Sequence, residues 1–298
     1  MPESAQMVTP AQRKWLPWLT AVGFFMQTLD GTILNTALPN MAETLGESPL
    51  QMQSVVIAYM LTVALLIPAS GWLADRFGTR RIYLAAILLF TLGSLACAAA
   101  NTLPMLVAAR VLQGVGGALL MPIGRLAVLR VYSKHELLRV MSFVTIPGLV
   151  GPLIGPALGG WLVEVASWHW VFLINLPVGI LGFIASWYFM PDLRQGTATF
   201  DWQGFVMFSA GMVLVSVGLQ GLGEHSISTG WALFALLSGL AAMASYWLYA
   251  ANAEQPLFSL ALFKTSTFAI GIWGNLFARL GSGAMPFLTP LFLQLGLG

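Results

Sequence analysis

Nine long apolar runs follow one another along the chain, at roughly 15–38, 51–73, 82–100, 103–124, 140–162, 170–190, 203–222, 231–250 and 268–295. Short polar connections join them. Each run is near the length of about 20 mostly apolar residues that a helix needs to cross roughly 30 Å of hydrocarbon. None shows the ten-residue alternation of a membrane barrel. In lipid, moreover, the backbone has to satisfy its polar groups within each segment. The pattern predicts an all-α integral membrane protein with about nine transmembrane helices. Polar residues 1–14 precede the first run, which exceeds the 7–15-residue core of a cleaved signal peptide and contains Asp30, so it reads as an uncleaved span.

Composition supports this. Of the 298 residues, 58% are hydrophobic and 8% charged, and the mean hydropathy is +0.82. A soluble domain carries about 25% charged residues, and 8% cannot cover a water-exposed globule of this size. The net charge of +2 matters only through its placement. Alternate connections divide sharply. One side holds Arg13, Lys14, Arg76, Arg80, Arg81, Arg125, Arg130, Lys134, Arg139, Arg194 and Lys264, eleven of the thirteen basic residues. The other side holds no Lys or Arg, only Glu43, Glu47, Glu164 and Glu224. By the positive-inside rule the basic side, with the N-terminus, is expected in the cytoplasm. The single cysteine, Cys97, lies within an apolar run and permits no intrachain disulfide.

The remaining bases, Arg110 and Arg279, fall inside spans, as does Asp30. An intramembrane charge costs at least about 2.5–3.5 kcal/mol and points to function. At 1.5 Å per residue, Asp30 and Arg110 both lie roughly 10–13 Å below the outer surface. They are matched in depth and opposite in sign. Such a pair is either a titratable link that breaks when a proton or cargo arrives, or a static bridge locking two helices. A partly desolvated carboxylate, its pKa raised toward neutrality, suits the first. Arg279 is expected near midplane, facing an anionic substrate, Asp30, or a group beyond the chain.

Four motifs add detail. After the second span comes Gly71-Trp-Leu-Ala-Asp75-Arg76-Phe-Gly78-Thr-Arg80-Arg81, read as a tight glycine turn carrying an acid and three bases. The first span reads Leu29-Asp30-Gly31-Thr32-Ile33-Leu34-Asn35-Thr36-Ala37-Leu38-Pro39. The fourth contains Arg110-Val-Leu-Gln113-Gly114-Val-Gly116-Gly117, and the fifth Gly151-Pro152-Leu-Ile-Gly155-Pro156-Ala-Leu-Gly159-Gly160. Glycines four apart let helices approach closely, and prolines remove backbone donors and bend a span. Trp168-His169-Trp170 at the start of the sixth span reads as an interfacial aromatic belt, with His169 interfacial and no relay.

In register across five spans, these motifs resemble those of the major facilitator superfamily, in its branch of drug:proton antiporters with fourteen helices. Thr79 stands where that family's loop most often has a base. The resemblance implies a major-facilitator-type helical bundle: a cytoplasmic tail over 1–14, an N-terminal six-helix bundle over 15–190, two inserted helices with their loops over 191–252, and the start of an incomplete C-terminal bundle over 253–298. Nine spans and a stop at Gly298 directly after an apolar run lead to the expectation of a truncated product or an incomplete sequence, with five further helices to follow.

The resemblance implies proton coupling by Asp30 and Arg110. It also implies a cytoplasmic gate at Gly71, Asp75, Arg76, Gly78 and Arg81, and helix packing by Gly151, Gly155, Pro156, Gly159 and Gly160. Gln27, Asn35, Gln113 and Arg279 are candidate substrate contacts, with Phe24, Phe25, Met26 and Met121 as an adaptable apolar wall or as ordinary packing. The expected function is proton-driven export of drug-like compounds or metabolites across the inner membrane. With Asp30 ionised the three intramembrane charges sum to +1, which keeps an anionic metabolite such as an organic acid open as cargo. A transport-inactive interaction subunit is the reading from another class. No enzyme is expected, because the spans contain no nucleophile–base cluster or metal-ligand spacing. The expected partners are a small-molecule substrate, protons and the lipid bilayer, with no nucleic acid. No metal and no cofactor are expected beyond the proton gradient, and the chain is expected to be monomeric.

Overall fold

A computed structural model of the chain describes residues 8–196, 199–224 and 228–278. The elements are α1 (Pro10–Leu45), α2 (Gln53–Leu66), a 3₁₀ turn at Ile67–Ala69, α3 (Ser70–Phe77), α4 (Thr79–Ala98), α5 (Leu103–Val131), α6 (Lys134–Val165), α7 (Trp170–Leu173), α8 (Asn175–Phe189), α9 (Trp202–Glu224) and α10 (Thr229–Asn252). A 3₁₀ segment, Leu260–Lys264, then leads into a helix over 266–278. Among the described residues there is no strand. The all-α membrane architecture expected from the apolar runs is present.

Seven helical stretches are long and apolar enough to span a bilayer, from Gln53–Phe77 to Thr229–Asn252, and they match the second to eighth runs. The first run becomes α1, whose 36 residues reach about 54 Å at the usual helical rise. Its apolar content is diluted by Gln27, Thr28, Asp30, Thr32, Asn35 and Thr36. The ninth run begins as helix at 266, and its part beyond 278 lies outside the described residues.

Local chemistry sets the helix ends. Thr9 and Gln12 form a reciprocal capping box at the start of α1, with Pro10 at the first helical position, where its missing N–H is no loss. Ser133 and Glu136 repeat the box on α6. Gly46 closes α1 at φ +70°. Gly78 alone separates α3 from α4, at φ +94°, where an added Cβ would also strike the Asp192 carboxylate.

Two expectations need correcting. The stretch from Gly71 to Phe77 is not a turn: it is helix α3, continuing the second span through the 3₁₀ turn at Pro68. A lone glycine does not break a helix whose neighbours favour it; the reversal is confined to Gly78. Trp168 is not in an interfacial belt. It is buried among Val171, Phe172 and Leu34 and stacks on His169 at 3.7 Å, whereas Trp170 is half exposed.

Packing rests on glycine faces. The most extensive contact joins α1 to α6, and there Thr28, Thr32 and Thr36 stand four residues apart over Gly151, Gly155 and Gly159. An added Cβ would come within 2.6, 2.3 and 2.3 Å of the three threonine hydroxyls. Each hydroxyl turns back to a carbonyl of its own helix, so the ridge presents no unsatisfied donor to its partner. Pro156 and Gly160, expected in the same motif, face away from α1 and are exposed. On α5, Gly116 abuts Phe90 and Ala86 of α4, while Gly114 and Gly117 abut Thr62 and Tyr59 of α2. The helices α9 and α10 pair with each other, and α9 touches α2.

Gly155→Val places a branched side chain against Thr32, and overpacking of this kind costs about 1–3 kcal/mol. The expected result is a lower thermal unfolding midpoint in detergent. Gly160→Ala, where nothing lies within 4 Å of the new Cβ, leaves that midpoint unchanged.

Candidate functional site

Midway along α1 and two turns into α5, inside the six spans built by α1–α8, lies a polar cluster sealed from solvent. Asp30 and Arg110 each expose 1% of their side chains and pair at 2.7 Å through Nη1 and Oδ2. Gln113, one turn beyond Arg110, is fully buried and bridges them. Its Oε1 accepts from Arg110 Nη1 at 2.6 Å, and its Nε2 donates to Asp30 Oδ1 at 2.7 Å. The second Nε2 hydrogen goes to Ser94 Oγ on α4 at 2.8 Å. Asn175 donates to Asp30 Oδ1 at 3.1 Å and to Ser94 Oγ at 3.2 Å. Arg110 Nε donates to the Val55 carbonyl of α2, and the guanidinium lies 4.1 Å from the Tyr59 ring centre and 5.9 Å from that of Phe172. The Cys97 thiol donates weakly to Gln113 Oε1 at 3.6 Å.

Each position has a local cause. Asp30 and Arg110 sit on the faces that α1 and α5 turn inward, and the glycines after Gln113 bring α5 close enough to α2 and α4 for the cluster to close. An added Cβ on Gly93 of α4 would overlap the Gln113 backbone at 2.5 Å. Asn175 owes its place to the break between α7 and α8 at Ile174, after which the new helix starts with its amide aimed at the carboxylate.

The structure brings together Asp30, Arg110 and Gln113 of the residues singled out in the sequence. Gln27 is half buried, outside the cluster, with a buried Oε1 lacking a partner, and Asn35 is exposed. Arg279 lies outside the described residues. Sequence reasoning missed Ser94, Asn175, Tyr59 and Cys97 as members. Asn175 stands inside the sixth apolar run, and a single uncharged amide in such a run carries little signal. Half-buried His169, between the fifth and sixth spans, has its imidazole pushed below its ordinary pKa by burial, which favours the neutral ring.

A second constellation lies at the end of the bundle where the bases gather. Asp75 on α3 pairs at 2.5 Å with Arg130 in the last turn of α5. A cation in that turn also complements the helix dipole. Gly71 lies on the same short helix, half buried. Arg76 and Arg81 are exposed, with the Arg76 guanidinium 5.5 Å from the Trp72 ring. Thr79 is fully buried. Its hydroxyl donates to the Pro191 carbonyl at 2.7 Å and accepts from Leu193 N–H at 3.0 Å, tying the stretch of chain after α8 to the start of α4. A long basic side chain could not fill that role.

Comparison with known proteins agrees with this architecture. The family model described as Major Facilitator Superfamily matches residues 20–297. A protein of Pectobacterium atrosepticum named "Putative multidrug resistance protein MdtD" is 56% identical over 296 residues, covering 98% of this chain and 63% of that protein. Its namesake in Serratia proteamaculans is 52% identical, covering 97% of this chain and 60% of that protein. The chain thus spans about three fifths of the length of these relatives. Among solved structures, a peptide transporter POT in complex with sulfate aligns with a TM-score of 0.57 at 18% identity, covering 84% of this chain and 54% of that one. A bacterial homologue of the lysosomal transporter Spinster, in an inward-facing conformation, aligns at 0.52 with 17% identity, covering 80% and 61%. Those two share the fold alone. With the family model spanning nearly the whole chain, and relatives above half identical along it, this multi-pass membrane protein belongs to the major facilitator superfamily.

Proposed function

We propose that the chain carries the proton-coupling part of an antiporter that exports small molecules across the inner membrane, with its N-terminus and basic connections in the cytoplasm. The observation that carries this reading is the sealed Asp30–Arg110 pair with Gln113 bridging it. Paired, the carboxylate is charged and neutralised. A proton reaches it only when α1 and α5 let water in, so protonation and opening are linked. Protonated Asp30 no longer balances Arg110, and this favours the open arrangement. Cargo and proton then shift the same two-state equilibrium in opposite directions, as exchange requires.

The name carried by the relatives supports drug-like compounds as cargo. Within the described residues the central charges cancel, Asp30 against Arg110. The organic-anion variant therefore draws only on Arg279. Asp75 with Arg130, at the basic end, acts as the cytoplasmic gate latch in this reading, with Gly71, Arg76, Gly78 and Arg81 shaping and flanking it. Gln27 and Asn35 fit beside this as substrate contacts, because they lie on α1 where a cargo passing along that helix would meet them.

Purified chain in proteoliposomes, loaded with a pH-sensitive dye, is expected to move protons when a lipophilic cation such as ethidium is added across a pH gradient. Asp30→Asn is expected to abolish that movement in protein shown by gel filtration and circular dichroism to be folded. Survival of proton movement in this variant rejects Asp30 as the carrier. If organic acids and not cations elicit it, the cargo reading changes; if neither does in folded wild-type protein, the interaction-subunit reading takes over.

The energetics of the pair form a separate test. Arg110→Met leaves Asp30 buried and unpaired and is expected to cost about 3–5 kcal/mol, as removal of one partner of a buried pair does. Asp30→Leu combined with Arg110→Met recovers most of that loss in thermal unfolding. An additive double variant would contradict direct pairing.

A further inference from the structure

Between the first turns of α1 and the last turns of α8, with α4 as its floor, runs an apolar crevice of about 350 Å³. Trp15, Trp18 and Val22 form one wall, Gly182 and Ser186 the other, and Tyr83 lies at the bottom. The crevice opens sideways. Trp15 and Trp18 are 42% and 52% exposed, and neighbouring Leu181 and Trp187 are more than half exposed on the same lipid-facing side. Its interior has room to spare: a Cβ built on Gly182 would meet nothing within 4 Å. It also holds an unmet polar group, because the Ser186 hydroxyl is fully buried and has no hydrogen-bond partner. Ser186 sits about one turn, roughly 5 Å, inside the end of α8.

A separate polar pocket lies between Thr9, Gln12, Arg80 and Pro191, about one turn back along α1 from Trp15. Arg80 and Asp192 line that pocket, and Arg13 and Lys14 are exposed in the first two turns of α1. Arg13 is taken by Glu136 at 2.6 Å and Arg194 by Asp192 at 3.1 Å. Lys14 and Arg80 have no ion-pair partner among the described residues. Arg80 donates only to the Trp187 carbonyl and lies 5.7 Å from the Trp187 ring centre.

We propose that this crevice is a binding site for one anionic phospholipid. One acyl chain fills the slot beside Gly182, an ester carbonyl accepts from the Ser186 hydroxyl, and the phosphate lies between Lys14 and Arg80. The order of groups toward the helix ends is the order along the lipid: apolar slot, buried donor one turn inside α8, and the two unpaired cations in the first two turns of α1 and α4. The indoles of Trp15 and Trp18 flank the level of the headgroup, where amphipathic rings are favoured. None of these residues belongs to the Asp30 cluster, so the site stands whether or not the chain transports.

The test is native mass spectrometry of the full 298-residue chain, released from detergent after incubation with equimolar phosphatidylglycerol and phosphatidylcholine of matched acyl chains. One phosphatidylglycerol is expected to stay bound, with a preference of roughly tenfold given two unpaired cations near an anionic headgroup. Gly182→Leu fills the slot and lowers retention of both lipids, with an unchanged melting temperature. Lys14→Gln combined with Arg80→Gln leaves retention in place and brings the two lipids to parity. Equal retention of both lipids by wild-type protein overturns the proposal. So does undiminished phosphatidylglycerol binding in Gly182→Leu, or an intact preference in the double charge variant, which reads the site even if the leucine variant does not fold.

Discussion

A buried charge pair in a lipid-embedded bundle dictates where its neighbours go. Taking a carboxylate and a guanidinium out of water is tolerated only if their remaining lone pairs and protons are satisfied. Asp30 and Arg110 draw on every span of the six-helix bundle but one to meet that condition. α2 supplies the Val55 carbonyl and the Tyr59 ring, α4 supplies Ser94, α5 supplies Gln113, and α7 and α8 supply Phe172 and Asn175. Moving any of these helices by an ångström or two would strand a donor in the core. The pair therefore acts less as a bond between two helices than as a common register for five spans.

The span left out, α6, is held by the opposite means. It contributes no polar atom to the cluster, and its hold on α1 is the fit of a threonine ridge into a glycine groove. In lipid there is no hydrophobic drive between helices, and close van der Waals contact between small residues takes its place. The two devices meet on α1. Asp30 faces inward to α5, while Thr28, Thr32 and Thr36 face α6. This double duty explains the polar residues that dilute the apolar character of α1.

What could be read in the sequence follows from the same physics. Charges in apolar runs are rare because they are costly, so Asp30 and Arg110 announced themselves, and helical rise was enough to match their depths. Glycines at intervals of four also stand out, and Gly151, Gly155 and Gly159 lie against the threonines of α1. Their partners did not stand out, because threonines that satisfy themselves along their own helix look like ordinary polar dilution. Ser94 and Asn175 were hidden for a related reason: a small neutral polar group is cheap enough to occur anywhere, and only three-dimensional proximity to Asp30 gives it meaning. The segment around Asp75 was misread because charge clustering suggested a loop. The helix continues there and brings Asp75 to face Arg130.

Likeness to two solved transporters at 17–18% identity establishes the architecture alone, and function has to be argued from the site. What distinguishes this site is how little freedom it leaves. Both Gln113 amide hydrogens are committed, its carbonyl accepts twice, and Asp30 accepts on both oxygens. A network this complete has no intermediate setting. With the carboxylate charged, both Asp30 oxygens and every polar atom of the Gln113 amide have partners; without that charge Arg110 would lack its counter-ion in a dry core. A packed helical core switches between packings and does not deform gradually, so a network of this kind is either formed or broken.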